Sequence, residues 1–223
     1  IAAGHMTKEF IDRVKNEATS IEFRTEYEAE FIADQDAYFP TELIQSNISN
    51  HVYATDIASA KQYLQNNPKN EYVLGCDPAG PGKDDSAIVI VEKRFDNSEL
   101  RVCLVWHYKQ STQTDTAQRI LTLDNIFRFK KVYCDYTGLG IGLVDLLRAD
   151  LVGRLEGISF TIDTKMDMYS NLKLLLEKGA LKLVDHKKLI FQLVDLRYEL
   201  SGSKTKIHHP DRGFDDLPTS LSL

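Results

Sequence analysis

Aspartate residues at three places in this 223-residue chain have the chemistry and the positions expected of a metal site. Asp77 ends a short apolar run, Asp135 ends a second one, and Asp215 and Asp216 stand side by side in the last part of the sequence. Aspartate is a poor strand former, and a carboxylate is costly to bury without a partner. Its presence at the ends of apolar segments therefore points to a function for these side chains.

These carboxylates would form one cluster if the segments that carry them converge. In an open α/β sheet, neighbouring strand ends lie together at the crevice where ligands bind. Several carboxylates there cannot all stay ionised without a cation, and Mg²⁺ or Mn²⁺ suits an all-oxygen ligand set. Two such ions about 3.5–4 Å apart would activate a water and stabilise the leaving oxygen in phosphodiester hydrolysis. The sequence thus predicts Asp77, Asp135 and one or both of Asp215 and Asp216 as catalytic metal ligands.

Each aspartate also has an ordinary structural explanation. Asp77 precedes Pro78 and is suited to starting a turn. Asp135 could cap the loop that follows it, and Asp215 or Asp216 could be a helix N-cap, a position that aspartate favours. These explanations stay open for each residue taken singly, but three acidic positions at elements expected to converge favour the metal site.

The surrounding pattern predicts an α/β protein. Residues 7–70 have helical and irregular character, whereas β-branched and apolar runs begin at residue 71. Short connections between the first three runs predict an antiparallel meander, and helices and further strands alternate after it. The predicted strands cover 72–76, 86–92, 100–108, 131–135 and 157–162, with a short extended piece at 181–183. The predicted helices cover 114–127, 143–149, 165–178, 187–200 and 215–223.

This order of elements is the one expected of a ribonuclease H-like fold. It predicts a mixed sheet, an antiparallel three-strand meander plus parallel strands, with helices on both faces. Net charge is −6, so the overall charge gives no indication of nucleic-acid binding. We find no apolar run long enough for a membrane span and no signal peptide. The three cysteines, Cys76, Cys103 and Cys134, lie in apolar runs and are expected to be small buried residues of a protein from a reducing compartment.

Several motifs resemble, in the right order, those of the nuclease domain of the large terminase subunit of tailed viruses. The first nuclease motif is similar to residues 75–79 with 84–87, the second to 132–135 with 138–140, and the third to 214–217 with 220–223. Residues 23–31 are similar to the segment that joins the packaging ATPase to the nuclease, and residues 169–173 also fit the family pattern. The resemblance covers most of residues 20–223.

The resemblance implies a two-metal endonuclease that cuts double-stranded viral DNA during genome packaging, in the host cell cytoplasm. By position, Asp77, Asp135, Asp215 and Asp216 would be the ligands of two Mg²⁺ or Mn²⁺ ions. Asp84 or Asp85 would be an auxiliary ligand or a turn residue. The full-length partners would be a fused N-terminal packaging ATPase, the portal and the small terminase. We therefore divide the chain into a tag remnant (1–6), a linker or helical extension from the ATPase (7–70) and the nuclease domain (71–223).

The sequence departs from the family pattern around the third motif. Many family members have histidine where Phe214 stands, and often aspartate where Thr219 stands, which leaves open which member of the Asp215–Asp216 pair binds metal. His208 and His209 are nearby and could compensate, or could be exposed loop residues.

The sequence argues against ATP hydrolysis by a Walker A loop and leaves two other functions as alternatives. Residues 80–83 resemble a Walker A loop in composition, but Asp84 follows the lysine where Ser or Thr is required, so we expect no ATP hydrolysis. An actin-like ATPase or sugar-kinase lobe would need a second phosphate-binding hairpin, of which 132–142 supplies a part. A catalytically inactive ribonuclease H-like module that binds DNA or a portal is the alternative from another class.

Basic residues late in the sequence are the candidates for DNA binding. They could form a patch that follows the phosphate backbone, or an ordinary solvated surface. The polar stretch 201–206 could form a hairpin over the cleft. The candidate contacts are Lys182, Lys187, Lys188, Lys204, Lys206 and Arg212.

Overall fold

The computed structural model describes residues 37–67, 69–79, 85–109, 111–201, 204–209 and 214–223. Several sequence-based predictions therefore fall outside the described residues. They are the tag remnant, the segment 23–31, the candidate ligand Asp84 and the candidate DNA contact Arg212. The side chain of Lys204 is also outside the description.

Helices and strands alternate along the described chain, as the sequence pattern predicts. The helices are α1 (Thr41–Asn47), α2 (Ile57–Asn66), α3 (Gln113–Phe127), α4 (Gly140–Leu147), α5 (Ile162–Glu177), α6 (Lys187–Asp195) and α7 (Asp216–Ser222). The strands are β1 (Glu71–Asp77), β2 (Ser86–Lys93), β3 (Leu100–Tyr108), β4 (Lys131–Asp135), β5 (Leu155–Ile158), β6 (Leu181–Lys182), β7 (Arg197–Ser201) and β8 (Lys204–His208).

Six strands form one mixed sheet in the order β5-β4-β1-β2-β3-β6. Strands β1, β2 and β3 are the antiparallel meander, and β4 joins the other edge of β1 in parallel. Strand β5 continues in parallel beyond β4, and β6 pairs in parallel with β3. The predicted ribonuclease H-like mixed sheet is confirmed.

Helices cover both faces of this sheet because the strand side chains alternate between two cores. Ala87 and Val89 of β2 contribute to one core, with residues of α1, α5, α6 and α7. Ile88 and Ile90 of the same strand contribute to the other, with residues of α2, α3 and α4. The central strands are apolar on both faces, which explains their nearly continuous hydrophobic runs. No helix in the described ranges has the length and apolar character needed to cross a bilayer.

The helix predicted over 187–200 is wrong in its second half. Helix α6 ends at Asp195, and Leu196 is extended, with φ −69° and ψ 129°. The next residues form β7, which pairs with β8 from Arg197 opposite His208 to Ser201 opposite Lys204. Pairing with a distant segment therefore overrides the local helical pattern. A second distant contact lies at the same point, where the amide of Tyr38 donates a 2.8 Å hydrogen bond to the Leu196 carbonyl.

Residues 37–66 pack directly on the sheet. Phe39 and Ile44 are fully buried in one core, and Ala60 lies in the other. The amide of Ala54 donates to the carbonyl of Cys103 in β3 at 2.8 Å. The domain boundary at residue 70 stays a prediction, and these contacts show that the described part of the extension packs against the six-stranded sheet.

Candidate active site

Two neighbouring strands bring Asp77 and Asp135 to the same edge of the sheet. Strands β1 and β4 are parallel, with Cys76 opposite Cys134, and each cysteine is followed at once by its aspartate. Both cysteines are buried and free, as expected from the sequence. The parallel pairing therefore supplies the convergence that the sequence-based hypothesis required.

The last helix brings Asp215 and Asp216 to this edge. Helix α7 packs against β1 and β2, and a β-carbon built at Gly75 would lie 1.9 Å from the Ser220 carbonyl oxygen. Only a residue without a side chain allows this approach of helix and strand. Ser220 Oγ accepts a 3.1 Å hydrogen bond from the Asp77 amide. The second half of α7 is thus fixed relative to the end of β1, one turn after Asp216.

The four carboxylates interact electrostatically. Burial raises the pKa of Asp77 well above its ordinary value, and the charges of Asp216, Asp135 and Asp215 raise it further. The ammonium of Lys165 acts in the opposite direction on the pKa of Asp77. A buried carboxylate whose pKa is raised by neighbouring carboxylates is typical of a cluster that a cation would stabilise.

Asp135 is oriented by the loop that follows β4. Its Oδ1 atom accepts hydrogen bonds from the Thr137 amide at 2.9 Å and from the Thr137 hydroxyl at 2.6 Å. Burial raises the pKa of Asp135, whereas the hydrogen bonds from Thr137 lower it. A β-carbon at Gly140 would lie 1.9 Å from the Asp135 carbonyl oxygen, so the glycine lets α4 begin directly above the strand end. Asp135 therefore caps its loop as well as facing the cluster.

Asp215 stands at the N-cap position of α7, but its side chain makes no capping hydrogen bond. Its Oδ2 atom accepts a 2.5 Å hydrogen bond from Lys165 Nζ and a 3.2 Å hydrogen bond from the Tyr169 hydroxyl. The same hydroxyl lies 3.0 Å from Thr219 Oγ1, and both Tyr169 and Thr219 are buried. Asp215 thus occupies the N-cap position, as one of its structural explanations predicted, but its carboxylate is turned toward α5 and does not cap the helix.

The carboxylates of Asp135 and Asp215 are held by these protein partners. In the part of the chain that the structure describes, no three His, Cys, Asp or Glu side chains are grouped closely enough to hold a metal ion. The donor atoms are nevertheless all carboxylate oxygens, which suits a hard divalent cation.

Asp85, the other candidate auxiliary ligand, lies in a separate group of contacts. Its carboxylate accepts a hydrogen bond from Lys188 Nζ, and His107 Nδ1 lies 3.1 Å from the same oxygen. Burial alone would raise the pKa of Asp85, but Lys188 and His107 outweigh it and lower the pKa. The ring of His107 lies 5.8 Å from that of His186 at the start of α6.

The candidate DNA-binding lysines are dispersed by the fold. Lys182 lies opposite Arg101, toward the end of β3 remote from the acidic cluster, and Lys188 contacts Asp85. Lys187 is exposed at the start of α6. Lys206 is exposed on β8 and lines a pocket of about 610 Å³ beside Lys165. Among the members of this set whose side chains are described, Lys206 shares a pocket with Lys165, which contacts Asp215.

Lys165 is the site residue that the sequence analysis missed. It is in the first turn of α5, and Tyr169 follows one turn later on the same face. The sequence pattern predicts a helix that begins at Lys165 and gives this residue no role in the site. The spacing of a lysine and a tyrosine four residues apart was the available signal. This spacing indicates a site role only when α7 packs against α5, and the local sequence does not reveal that packing.

The departures around the third motif have clear structural positions. Phe214 is exposed at 38%, and Thr219 is buried against Tyr169. His209 Nε2 lies 3.9 Å from Asp215 Oδ1, and His208 Nδ1 lies 2.8 Å from the His209 carbonyl oxygen. A histidine therefore approaches Asp215 from β8 although residue 214 is a phenylalanine.

The chain is similar in sequence to large terminase subunits of two Thermus viruses. The large terminase subunit of Thermus virus P23-45 is 27% identical over 210 residues, which are 91% of this chain and 40% of that protein. The large terminase subunit of Thermus phage G20c is 26% identical over the same shares of the two chains. The chain thus spans about 40% of the length of these relatives.

Solved structures match in fold. The large terminase nuclease of phage G20c with bound magnesium superimposes with a TM-score of 0.67 at 20% identity, covering 84% of this chain and 95% of that one. A mutant nuclease domain of the large terminase subunit of bacterial virus Sf6, with manganese and β-thujaplicinol, gives a TM-score of 0.58 at 13% identity, with 83% and 96% covered.

A family model described as the terminase RNaseH-like domain matches residues 74–213. The matched range includes Asp77 and Asp135 and ends just before Asp215. Together with the mixed sheet and its placement of the acidic residues, this match identifies the chain as a member of the terminase RNaseH-like domain family.

Proposed function

We propose that this chain is a metal-dependent endonuclease that cuts double-stranded viral DNA during genome packaging, in the host cell cytoplasm. We propose Asp77, Asp135, Asp215 and Asp216 as ligands of two Mg²⁺ or Mn²⁺ ions. The observation that carries the proposal is the parallel pairing of β1 with β4, which sets Asp77 beside Asp135, with α7 packed against β1. Burial and the charges of the other three carboxylates also raise the pKa of Asp77.

The donor set fits such ions. Four carboxylates supply hard oxygen donors, and the lysine beside Asp215 neutralises only part of their charge. When bound there, divalent cations would lower the pKa of an attacking water and stabilise negative charge on the leaving oxygen. The magnesium and manganese of the G20c and Sf6 nuclease structures belong to those proteins and are the reason to test the same two metals here.

The chain's own residues would prepare the site in distinct ways. Thr137 orients Asp135, and Ser220 joins the backbone of Asp77 to α7. Tyr169 holds Asp215 from the buried side, where the hydroxyl is anchored by Thr219. The hydrogen bonds from Thr137 and Tyr169 restrict the carboxylates of Asp135 and Asp215, which would reduce the reorganisation required when cations and a phosphodiester bind.

Membership of the terminase family is the basis on which we propose partners for the full-length protein. The relatives are more than twice as long as this chain, so we propose a fused packaging ATPase in the full-length protein, with the portal and the small terminase as its assembly partners. Asp84 and Asp85 remain proposed auxiliary ligands. For Asp85 this would require exchange of its contacts with Lys188 and His107.

The test is nicking of supercoiled plasmid in Mn²⁺ or Mg²⁺, with Asp77→Asn and Asp135→Asn variants. Loss of partners around metal ligands costs about 10–100-fold, so loss of a ligand itself should reduce the rate by at least that factor. Asp150→Asn is the matched control, since Asp150 is an exposed aspartate in the loop after α4.

Calorimetric titration of the same variants with Mn²⁺ separates binding from chemistry. We expect weaker Mn²⁺ binding in both site variants and no change in Asp150→Asn. A wild-type chain that binds duplex DNA but leaves plasmid intact in both metals would instead support an inactive DNA-binding module.

A further inference from the structure

A pocket of about 610 Å³ adjoins the acidic cluster without sharing its charge. It lies between the start of α5 and strand β8, and it is lined by Phe160, Ile162, Lys165, Lys206, His208 and His209, among others. None of the described residues that line it is aspartate or glutamate. Its volume is within the range of about 300–1,000 Å³ typical of pockets for small organic ligands.

The chemistry of the pocket suits a phosphodiester with its sugar. Two lysines supply positive charge, and helix α5 points its N-terminal end, the positive end of the helix dipole, toward the same space. Phe160 and Ile162 supply apolar surface. An anionic group attached to a less polar ring is the ligand class that this combination would take.

Lys165 belongs both to this pocket and to the acidic cluster. Its side chain is 28% exposed, and Nζ lies 2.5 Å from Oδ2 of Asp215, whose side chain is 13% exposed. An ammonium carries three donors in a compact charge, so one lysine can contact a carboxylate and a phosphate oxygen together. The position therefore links whatever fills the pocket to the carboxylate that we propose as a metal ligand.

We propose that Lys165 is a DNA-phosphate contact and that the pocket holds a phosphodiester of the cleaved strand beside the one that is cut. Lys165 then sets the position of the strand relative to Asp215, with Lys206 as the second cationic contact. The inference rests on the proposed nuclease function and deepens it by assigning a strand-binding subsite to residues outside the four aspartates.

The test is binding of a fluorescent duplex DNA by the 223-residue chain in Ca²⁺ across roughly 50–200 mM salt, with DNA integrity checked on a gel. Each phosphate neutralised contributes about 0.9 to the slope of log K against log salt. We expect Lys165→Gln to reduce the magnitude of that slope by about 0.9, the value of one phosphate contact. The same variant should bind DNA about 5–10-fold more weakly at the low-salt end. Lys165→Arg should preserve the slope.

Lys178→Gln is the matched control, because Lys178 is an exposed lysine at the other end of α5 and the substitution changes the net charge equally. Urea unfolding of all variants establishes that they are folded. The proposal is overturned if the salt slope of Lys165→Gln equals that of the wild type. It is also overturned if Lys178→Gln reduces the slope and the DNA affinity as much as Lys165→Gln does. Plasmid nicking by the wild type is measured separately, so failure of the nuclease function is distinguishable from failure of this contact.

A purely structural role for Lys165 gives a different result in a second measurement. If the lysine served to hold Asp215 in place for a cation, Lys165→Gln should weaken Mn²⁺ binding in calorimetry without DNA. If it is a phosphate contact that competes with the cation for Asp215, Mn²⁺ binding should be unchanged or tighter. The first outcome overturns the proposal, and the second supports it together with the reduced salt slope.

Discussion

The amide of Asp77 donates a 3.1 Å hydrogen bond to the hydroxyl of Ser220, which joins the end of the first strand to the last helix. That hydroxyl also lies 2.8 Å from the Asp216 carbonyl and 3.1 Å from the Ala87 carbonyl, either of which can accept its proton. Ser220 is buried at this junction. Strands β1 and β2 and helix α7 thus meet at one side chain, directly beneath the acidic cluster.

The close approach of α7 to β1 predicts a large effect of Gly75→Ala. The new β-carbon would lie 1.9 Å from the Ser220 carbonyl oxygen, so the helix must move by more than an ångström to reach ordinary contact. Overpacking of this kind costs about 1–3 kcal/mol, and a 1 Å misplacement of a catalytic group can reduce a rate by about 100-fold. Urea unfolding and plasmid nicking would measure the two effects.

Gly153→Asn is the control for the Gly75 experiment. Gly153 has φ +72° with nothing within 4 Å of the added β-carbon, and asparagine enters the left-handed region more readily than most residues. We expect nicking to be unaffected there. A Gly75→Ala variant with wild-type stability and nicking would show that α7 does not depend on this contact.

Asp77 should destabilise the fold when no metal is bound. Because its folded pKa is raised well above the ordinary value, the folded state binds more protons than the unfolded state between the two pKa values, and stability falls as pH rises through that window. Asp77→Asn should therefore raise the Tm at neutral pH in EDTA. A gain of 1 kcal/mol corresponds to about 2–4 °C in a domain of this size.

Added Mg²⁺ should raise the Tm of the wild type above that of Asp77→Asn. A ligand that binds the folded state stabilises it in proportion to the logarithm of its concentration over Kd, so the wild type should gain stability while Asp77→Asn gains less. Differential scanning fluorimetry with and without Mg²⁺ measures both. Equal Tm shifts in the two proteins would contradict a role for Asp77 in metal binding.

Lys188 should matter for stability more than for DNA binding. Its ammonium contacts Asp85, whose side chain is 5% exposed, while Lys188 itself is 29% exposed. Breaking a buried pair from one side leaves a buried charge uncompensated and costs about 3–5 kcal/mol, a value at the upper limit for this partly exposed lysine. We expect urea unfolding to show on the order of 2–3 kcal/mol for Lys188→Met.

The double variant Asp85→Asn, Lys188→Met should recover part of that loss, because it leaves no unpaired charge. Lys187→Met is the neighbouring control, since Lys187 is exposed at the start of the same helix. If Lys188→Met keeps its stability and instead reduces the salt dependence of DNA binding, the sequence-based assignment of Lys188 to a DNA contact is the better one.

The strands and the acidic positions were predictable because they depend on local pattern. Strand β3 at Leu100–Tyr108 and β4 at Lys131–Asp135 have the predicted bounds, since β-branched runs between turn residues determine them. The meeting of Asp77 with Asp135 followed from the fold class. In contrast, the role of Lys165 and the hairpin at Arg197 depend on contacts between distant segments. The periodicity of apolar residues along the chain does not reveal such contacts.

His186 should make stability depend on pH through a helix cap. Its Nδ1 atom accepts a 3.2 Å hydrogen bond from the Leu189 amide at the start of α6, which requires that nitrogen to be unprotonated. Burial and the nearby charges of His107 and Lys188 lower the pKa of His186 from 6.5 to about 4. The unfolded state therefore binds more protons between these values, and the contribution of His186 to stability is complete above pH 6.5 and declines as pH falls toward 4.

His186→Asn should remove this part of the pH dependence while keeping the cap. Asparagine is a favoured N-cap acceptor and has no proton to gain in this range, so stability near neutral pH should change little. Between pH 6.5 and 4 the wild type should lose up to about 1.4 kcal/mol per pH unit more than the variant, the value of one proton. Urea unfolding at several pH values gives the difference directly, and parallel stability curves for the two proteins would mean that the ring of His186 does not titrate in this way.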